Sequence, residues 1–136
     1  MATLAPEGTD WHGMLVEMGQ RWKTVTNGNI ILRIYPGGVV GDERDMIRKM
    51  RIGQIHAAAI TTEGLSEINP DVNVYIIPML FDDYDDVDWF RNKIGKKLED
   101  GIKENGFTPL LWADVGWAHW FTVKPIRYPK DLKKAK

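Results

Sequence analysis

Ten residues near the carboxyl end, WADVGWAHWF, hold Trp112, Trp117 and Trp120, half of the chain's six tryptophans, with Asp114 and His119 among them. Small-solute sites are mostly apolar walls with a few convergent polar groups, and this composition fits one. Strand alternation would put Trp112, Asp114 and Gly116 on one side of the chain and Ala113, Val115 and Trp117 on the other. The sequence predicts Trp112, Asp114 and Trp117 as ligand-facing, and Trp120 and Phe121 as core. The plain alternative is that the aromatics are all core, since burial is their commonest role. A second group is Thr61 and Thr62 after the small-residue run HAAAI. Thr62 is expected to cap the next helix, and the hydroxyls and helix N–H groups could also face a polar or anionic ligand. Glu7 and Trp11 flank the APEG turn before the first helix. They are further ligand candidates, although Trp11 also begins an apolar helical stripe.

Other chemistry finds less support. Asp82, Asp83, Asp85, Asp86 and Asp88 lack the glycine and spacing of a calcium loop. They read as the solvated start of a helix, where acids favour the positive end of the macrodipole. His12, His56 and His119 stand far apart and outside any HExxH pattern, and no cysteine is present. No metal, cofactor or catalytic residue is expected, so the chain is not read as an enzyme. The competing reading, a small α/β enzyme pairing Asp114 or Glu7 with a histidine, has no motif behind it.

Positioning those residues requires a scaffold. The 136 residues, 43% hydrophobic and 27% charged, suffice for one domain. A net charge of −1 gives no electrostatic case for nucleic acid. Trp11, Met14, Leu15, Met18, Trp22 and Val25 form one apolar stripe of a helix capped at Thr9 or Asp10 and stopped by Asn27-Gly28. Strands are predicted over 29–35, 56–60, 72–77 and 107–112, with helices from Gly41 to Gly53, 63–68, from the aspartate run, and 95–105. Alternating strands and helices predict a three-layer α/β domain with a mainly parallel sheet. Ligands of such sheets sit beyond the carboxyl ends of the strands, which selects the segments after 35, 60, 77 and 112.

The ordered blocks ATLAPEGTDWH, IYPGGVVGDERDMIRKMRIGQIHAAAI, IIPMLF and KPIRYPKDLKKAK resemble the first lobe of the solute-binding proteins of tripartite ATP-independent periplasmic (TRAP) transporters. The resemblance implies a periplasmic-binding-protein-like lobe over 1–136, with part of the first strand and the whole second lobe missing. It implies a receptor in the periplasm that captures a small solute, commonly an organic acid, between two lobes and hands it to membrane permease subunits. MATLAPEG has neither a basic n-region nor a long apolar h-region, so no signal peptide is expected here. Acid-binding members carry a basic residue after the glycine matching Gly116, whereas Trp117, Ala118 and His119 follow here. The ligand is therefore expected to meet aromatic faces more than charge. A single lobe is expected to bind weakly or not at all. It is also expected to form a homo-oligomer through its uncovered edges, which makes a self-associating fragment the alternative function.

Overall fold

A computed structural model describes residues 1–119 and 121–133. Three extended segments lie side by side, all parallel. Strand β1 (Ala2–Thr3) is in the middle and pairs with β2 (Ala58–Ala59) in the register Ala2 to Ala58 and Thr3 to Ala59. On its other side β1 bridges Tyr35, which donates its N–H to Met1 O at 2.9 Å and accepts from Thr3 N at 3.1 Å. The chain thus runs from β1 outward to Tyr35 and then back across β1 to β2. That is a reversal of strand order, where α/β sheets open a crevice. The architecture is α/β with parallel pairing, as expected, but the strands are short. A ladder is no longer than its shortest member, and β1 has two residues. The predicted strands over 29–35 and 56–60 therefore shrink to a bridge at Tyr35 and to Ala58–Ala59.

Helix α1 (Asp10–Val25) starts where Thr9 accepts the His12 N–H at 3.4 Å, and it ends before Asn27 and Gly28, both at positive φ. Its apolar stripe is less covered than predicted. Gly19 alone is buried, against Leu32, while Met14 and Val25 are exposed. Helix α2 (Glu43–Arg51) is capped by Asp42, which accepts the Asp45 N–H at 2.8 Å. Its Met46 packs with Ala2 and Ile55 at the sheet. Its Ile47 joins Ile68, Val72, Leu98 and Ile102 in the second core cluster. Each such side chain contributes on the order of 2 kcal/mol by leaving water.

Two segments depart from the sequence reading. The run at 72–77, β-branched and read as a strand, is a 3-10 helix over Pro70–Ile76. Pro70 presets a helical φ at its start and the Asn69 side chain accepts the Asp71 N–H at 3.1 Å. Val72 is then delivered into the core from a helix, so tertiary packing overrides β-propensity. The two helices expected on either side of Gly95 are one, α4 (Tyr84–Glu104), 21 residues long. Gly95 lies buried inside it, and a Cβ added there would sit 3.3 Å from Arg91 Cγ. Ahead of both, a five-residue helix α3 (Thr62–Ser66) follows β2. No strand forms at 107–112, where Leu110 and Leu111 are exposed. A short α5 (Pro129–Leu132) lies near the carboxyl end. None of the helices is long and apolar enough to cross a membrane among the described residues.

Candidate ligand-binding site

Chain leaving β2 turns at once into α3, and that turn is held from outside. Thr61, not Thr62, occupies the N-cap position, and its side chain makes no cap bond to α3. The buried Glu43 carboxylate supplies the acceptor instead. Its Oε1 takes the Thr61 N–H at 2.8 Å, and its Oε2 takes the Thr61 hydroxyl at 2.7 Å and the Gly64 N–H at 2.9 Å. A carboxylate at a helix N-terminus is the arrangement the macrodipole favours. Gly64 is required there, because a Cβ would stand 2.6 Å from Glu43 Oε2. The donors expected of Thr61 toward a ligand are thus already engaged within the protein.

Thr62 instead faces a recess of about 140 Å³ that the 3-10 helix, α4 and residues 112–117 complete. The 3-10 helix contributes Tyr75, whose ring meets Phe90 edge-on at 5.7 Å and Trp112 at 6.0 Å. α4 contributes Tyr84, Val87 and Arg91. The stem of Arg91 runs past Gly95, and its guanidinium donates from Nη2 to Asp114 Oδ1 at 2.6 Å and pairs from Nη1 with Asp88 Oδ1 at 3.3 Å. Trp117 lies 5.5 Å from Tyr84, ring to ring. Trp112 is half-buried, and its indole N–H donates to Glu99 Oε1 at 2.9 Å.

The base of the recess is sealed. Tyr75 Oη and Arg91 Nε are shielded from solvent and have no hydrogen-bond partner among the described residues. Burial holds the Tyr75 phenol above its ordinary value, and the Arg91 charge opposes that rise without cancelling it.

Of the residues nominated from sequence, Thr62, Trp112, Asp114 and Trp117 line this recess, and Glu7, Trp11 and Thr61 do not. Glu7 and Trp11 are exposed on the loop and first turn after β1. Phe121, expected in the core, is 92% exposed, and Trp120 lies outside the described residues. The aspartate run is a helix start. Asp83 accepts the Asp86 N–H at 3.0 Å, and Asp86 accepts the Asp82 N–H at 3.1 Å. A larger hollow of about 520 Å³ lies along α4 near Lys96, Asp100 and Glu104. It is an open charged groove that none of the nominated residues enters, so the smaller aromatic recess is the better match for solute chemistry.

Sequence reasoning missed Tyr75, Tyr84 and Arg91. Tyr75 was concealed by the strand reading of 72–77. Arg91 follows Asp88 at i+3, a spacing that puts both on one helix face, but it was hidden among the aspartates. It brings a cation to a wall expected to be mainly aromatic with Asp114 as its charged group.

A profile of one protein family, described as bacterial extracellular solute-binding protein family 7, DctP, matches residues 1–136. A solute-binding protein of Roseobacter denitrificans is 28% identical over 131 residues, covering 95% of this chain and 40% of that protein. The C4-dicarboxylate-binding protein DctB of Bacillus subtilis is 28% identical over 110 residues, 79% of this chain and 31% of its own length. Among solved structures, a TRAP periplasmic solute-binding protein of Pseudomonas putida F1 with bound D-glucuronate superposes with a TM-score of 0.83 at 30% identity. That match covers 96% of this chain and 44% of that one. The chain thus spans less than half the length of the proteins it matches. By the full-length match of the profile, the chain belongs to the DctP family of extracellular solute-binding proteins, which are receptors rather than enzymes.

Proposed function

We propose that the chain is one lobe of a TRAP-type solute receptor working in the periplasm, and that the recess beside α3 and α4 is its share of a cleft for a small organic acid. The observation that carries this is the convergence of Thr62, Trp112, Asp114 and Trp117 on one recess just past the carboxyl end of β2. The bound D-glucuronate of the Pseudomonas relative and the dicarboxylate named for the Bacillus one make a hydroxylated or short acid the class to test. In the intact receptor, closure of a second lobe would sequester the solute before delivery to the membrane permease.

At about 140 Å³ the recess is smaller than the roughly 300 Å³ at which small-molecule pockets begin. The lobe alone is therefore expected to bind weakly. Heteronuclear NMR of the labelled chain with D-glucuronate in the millimolar range should perturb Thr62, Asp114 and Trp117. The thermal upshift should stay below about 2 °C. Perturbations scattered over the surface, or none, would count against the site, and a large upshift would sink the half-cleft reading.

Self-association is the second reading. Val25, Ile31, Leu110 and Leu111 are each at least 65% exposed, apolar surface that a second copy of the chain would cover. A monomeric mass by light scattering at low micromolar protein would remove this reading and leave the first intact.

A further inference from the structure

The charged lining residues of the recess are Arg91 and Asp114, and they are bonded to each other at 2.6 Å. Asp88 takes a second side of the same guanidinium at 3.3 Å. One cation therefore faces two carboxylates, and no unengaged cation lines the recess among the described residues. Asp114 is partly exposed, 42% at its side chain, and only its Oδ1 is engaged by Arg91. The second oxygen remains an acceptor on the open side. The same recess is lined by Thr62 and by the tilted rings of Tyr84 and Trp117, with Thr62 and Tyr84 carrying neutral hydroxyls.

We propose that Asp114, held in place by Arg91, is a specificity-determining residue that accepts hydroxyl donors of a polyhydroxylated solute and turns carboxylates away from this wall. A hydroxyl can donate to Asp114 and accept from a neighbouring Thr62 or Tyr84 hydroxyl, whereas a carboxylate can only accept. Like charge at a site already carrying a net negative balance disfavours the carboxylate further. The aromatic rings suit the apolar C–H face of a sugar-like ring. The acid group of such a solute must then meet its cation away from this recess. This inference rests on the reading of the recess as the solute site.

The test uses the labelled full chain and three probes: D-glucuronate, D-glucose and succinate. The Asp114 amide and the Trp117 indole N–H are followed by heteronuclear NMR. Both sugars are expected to shift these signals and succinate to leave them. In the Asp114→Asn variant, which removes the repelling charge, succinate binding should rise by about tenfold relative to D-glucose, a difference of about 1.4 kcal/mol. Succinate binding the unaltered chain as well as the sugars overturns the inference while leaving the solute-receptor reading in place. No localised response to any probe overturns both. Equal probe preference in Asp114→Asn and the parent chain also overturns the role given to Asp114, and a dispersed amide spectrum matching the parent outside the recess shows that the variant keeps its fold.

Discussion

Glu43 holds Thr61 from 18 residues away, accepting both its backbone N–H and its hydroxyl with the two oxygens of one carboxylate. The same carboxylate reaches Gly64 N, so the start of α3 is fastened to the start of α2. Glu43→Ala leaves three donors without an acceptor, and each buried unmet donor costs about 1–3 kcal/mol. A net loss of about 2–4 kcal/mol is expected in urea unfolding, with Glu43→Gln losing roughly half of that because one carbonyl oxygen remains. A loss below about 0.5 kcal/mol for Glu43→Ala would refute the fastening.

Gly64→Ala probes the same contact from the other side. The new methyl would press on Glu43 Oε2 at 2.6 Å, an overpacking that costs about 1–3 kcal/mol. The two substitutions should not add. In a Glu43→Ala background only part of the cost of Gly64→Ala should vanish, since Oε2 is gone while the Cβ of residue 43, 2.8 Å from the new methyl, remains. Strict additivity in a double-mutant cycle would contradict the geometry.

Residues 108–119 make no backbone–backbone hydrogen bond among the described residues. Two side-chain bonds attach them to α4, Trp112 to Glu99 and Asp114 to Arg91. Trp112→Phe should cost about 1 kcal/mol, the net worth of a hydrogen bond whose partner is half-exposed. Asp114→Ala should cost under about 1 kcal/mol, because its ion pair is partly solvated. Both should lower the backbone heteronuclear NOE across 113–118, and values unaltered in both variants would remove the anchoring role.

Tyr75 gives the pH dependence. Burial raises its phenol above the ordinary tyrosine value near 10, against the opposing charge of Arg91. The folded state keeps the proton where the unfolded chain has lost it. The contribution is therefore fully present below pH 10 and is lost as pH rises above it. Tyr75→Phe should flatten the alkaline side of the stability profile, and Arg91→Met should push the phenol higher still. A spectrophotometric phenolate titration in which Tyr75→Phe removes no late component would contradict this.

The helix ends were legible wherever a local group decides them. Thr9 caps α1 and Asn27-Gly28 stops it, Asp42 caps α2, and Gly53 stops it at a positive φ. Those signals are short-range hydrogen bonds and backbone geometry, which the sequence states directly. Where a distant partner decides, the reading failed. Val72 and Tyr75 have strand-like neighbours, yet their segment coils because Ile68, Leu98 and Ile102 offer a helical docking surface. Gly95 looks like a stop and is instead the room Arg91 needs. The aromatic half of the site was visible in WADVGWAHWF, while its charged half depended on a contact 23 residues apart, Arg91 to Asp114.

The two walls of the recess differ in how much freedom they surrender on meeting a ligand. α4 runs about 30 Å as a continuous hydrogen-bonded rod, so Tyr84, Val87 and Arg91 arrive with their backbone entropy already spent in folding. The opposite wall, Ala113 to Trp117, has yet to lose it, at about 1 kcal/mol or more for each residue that becomes fixed. Under the proposed function, affinity is then tuned as much by how stiff that stretch of chain is as by which atoms it presents.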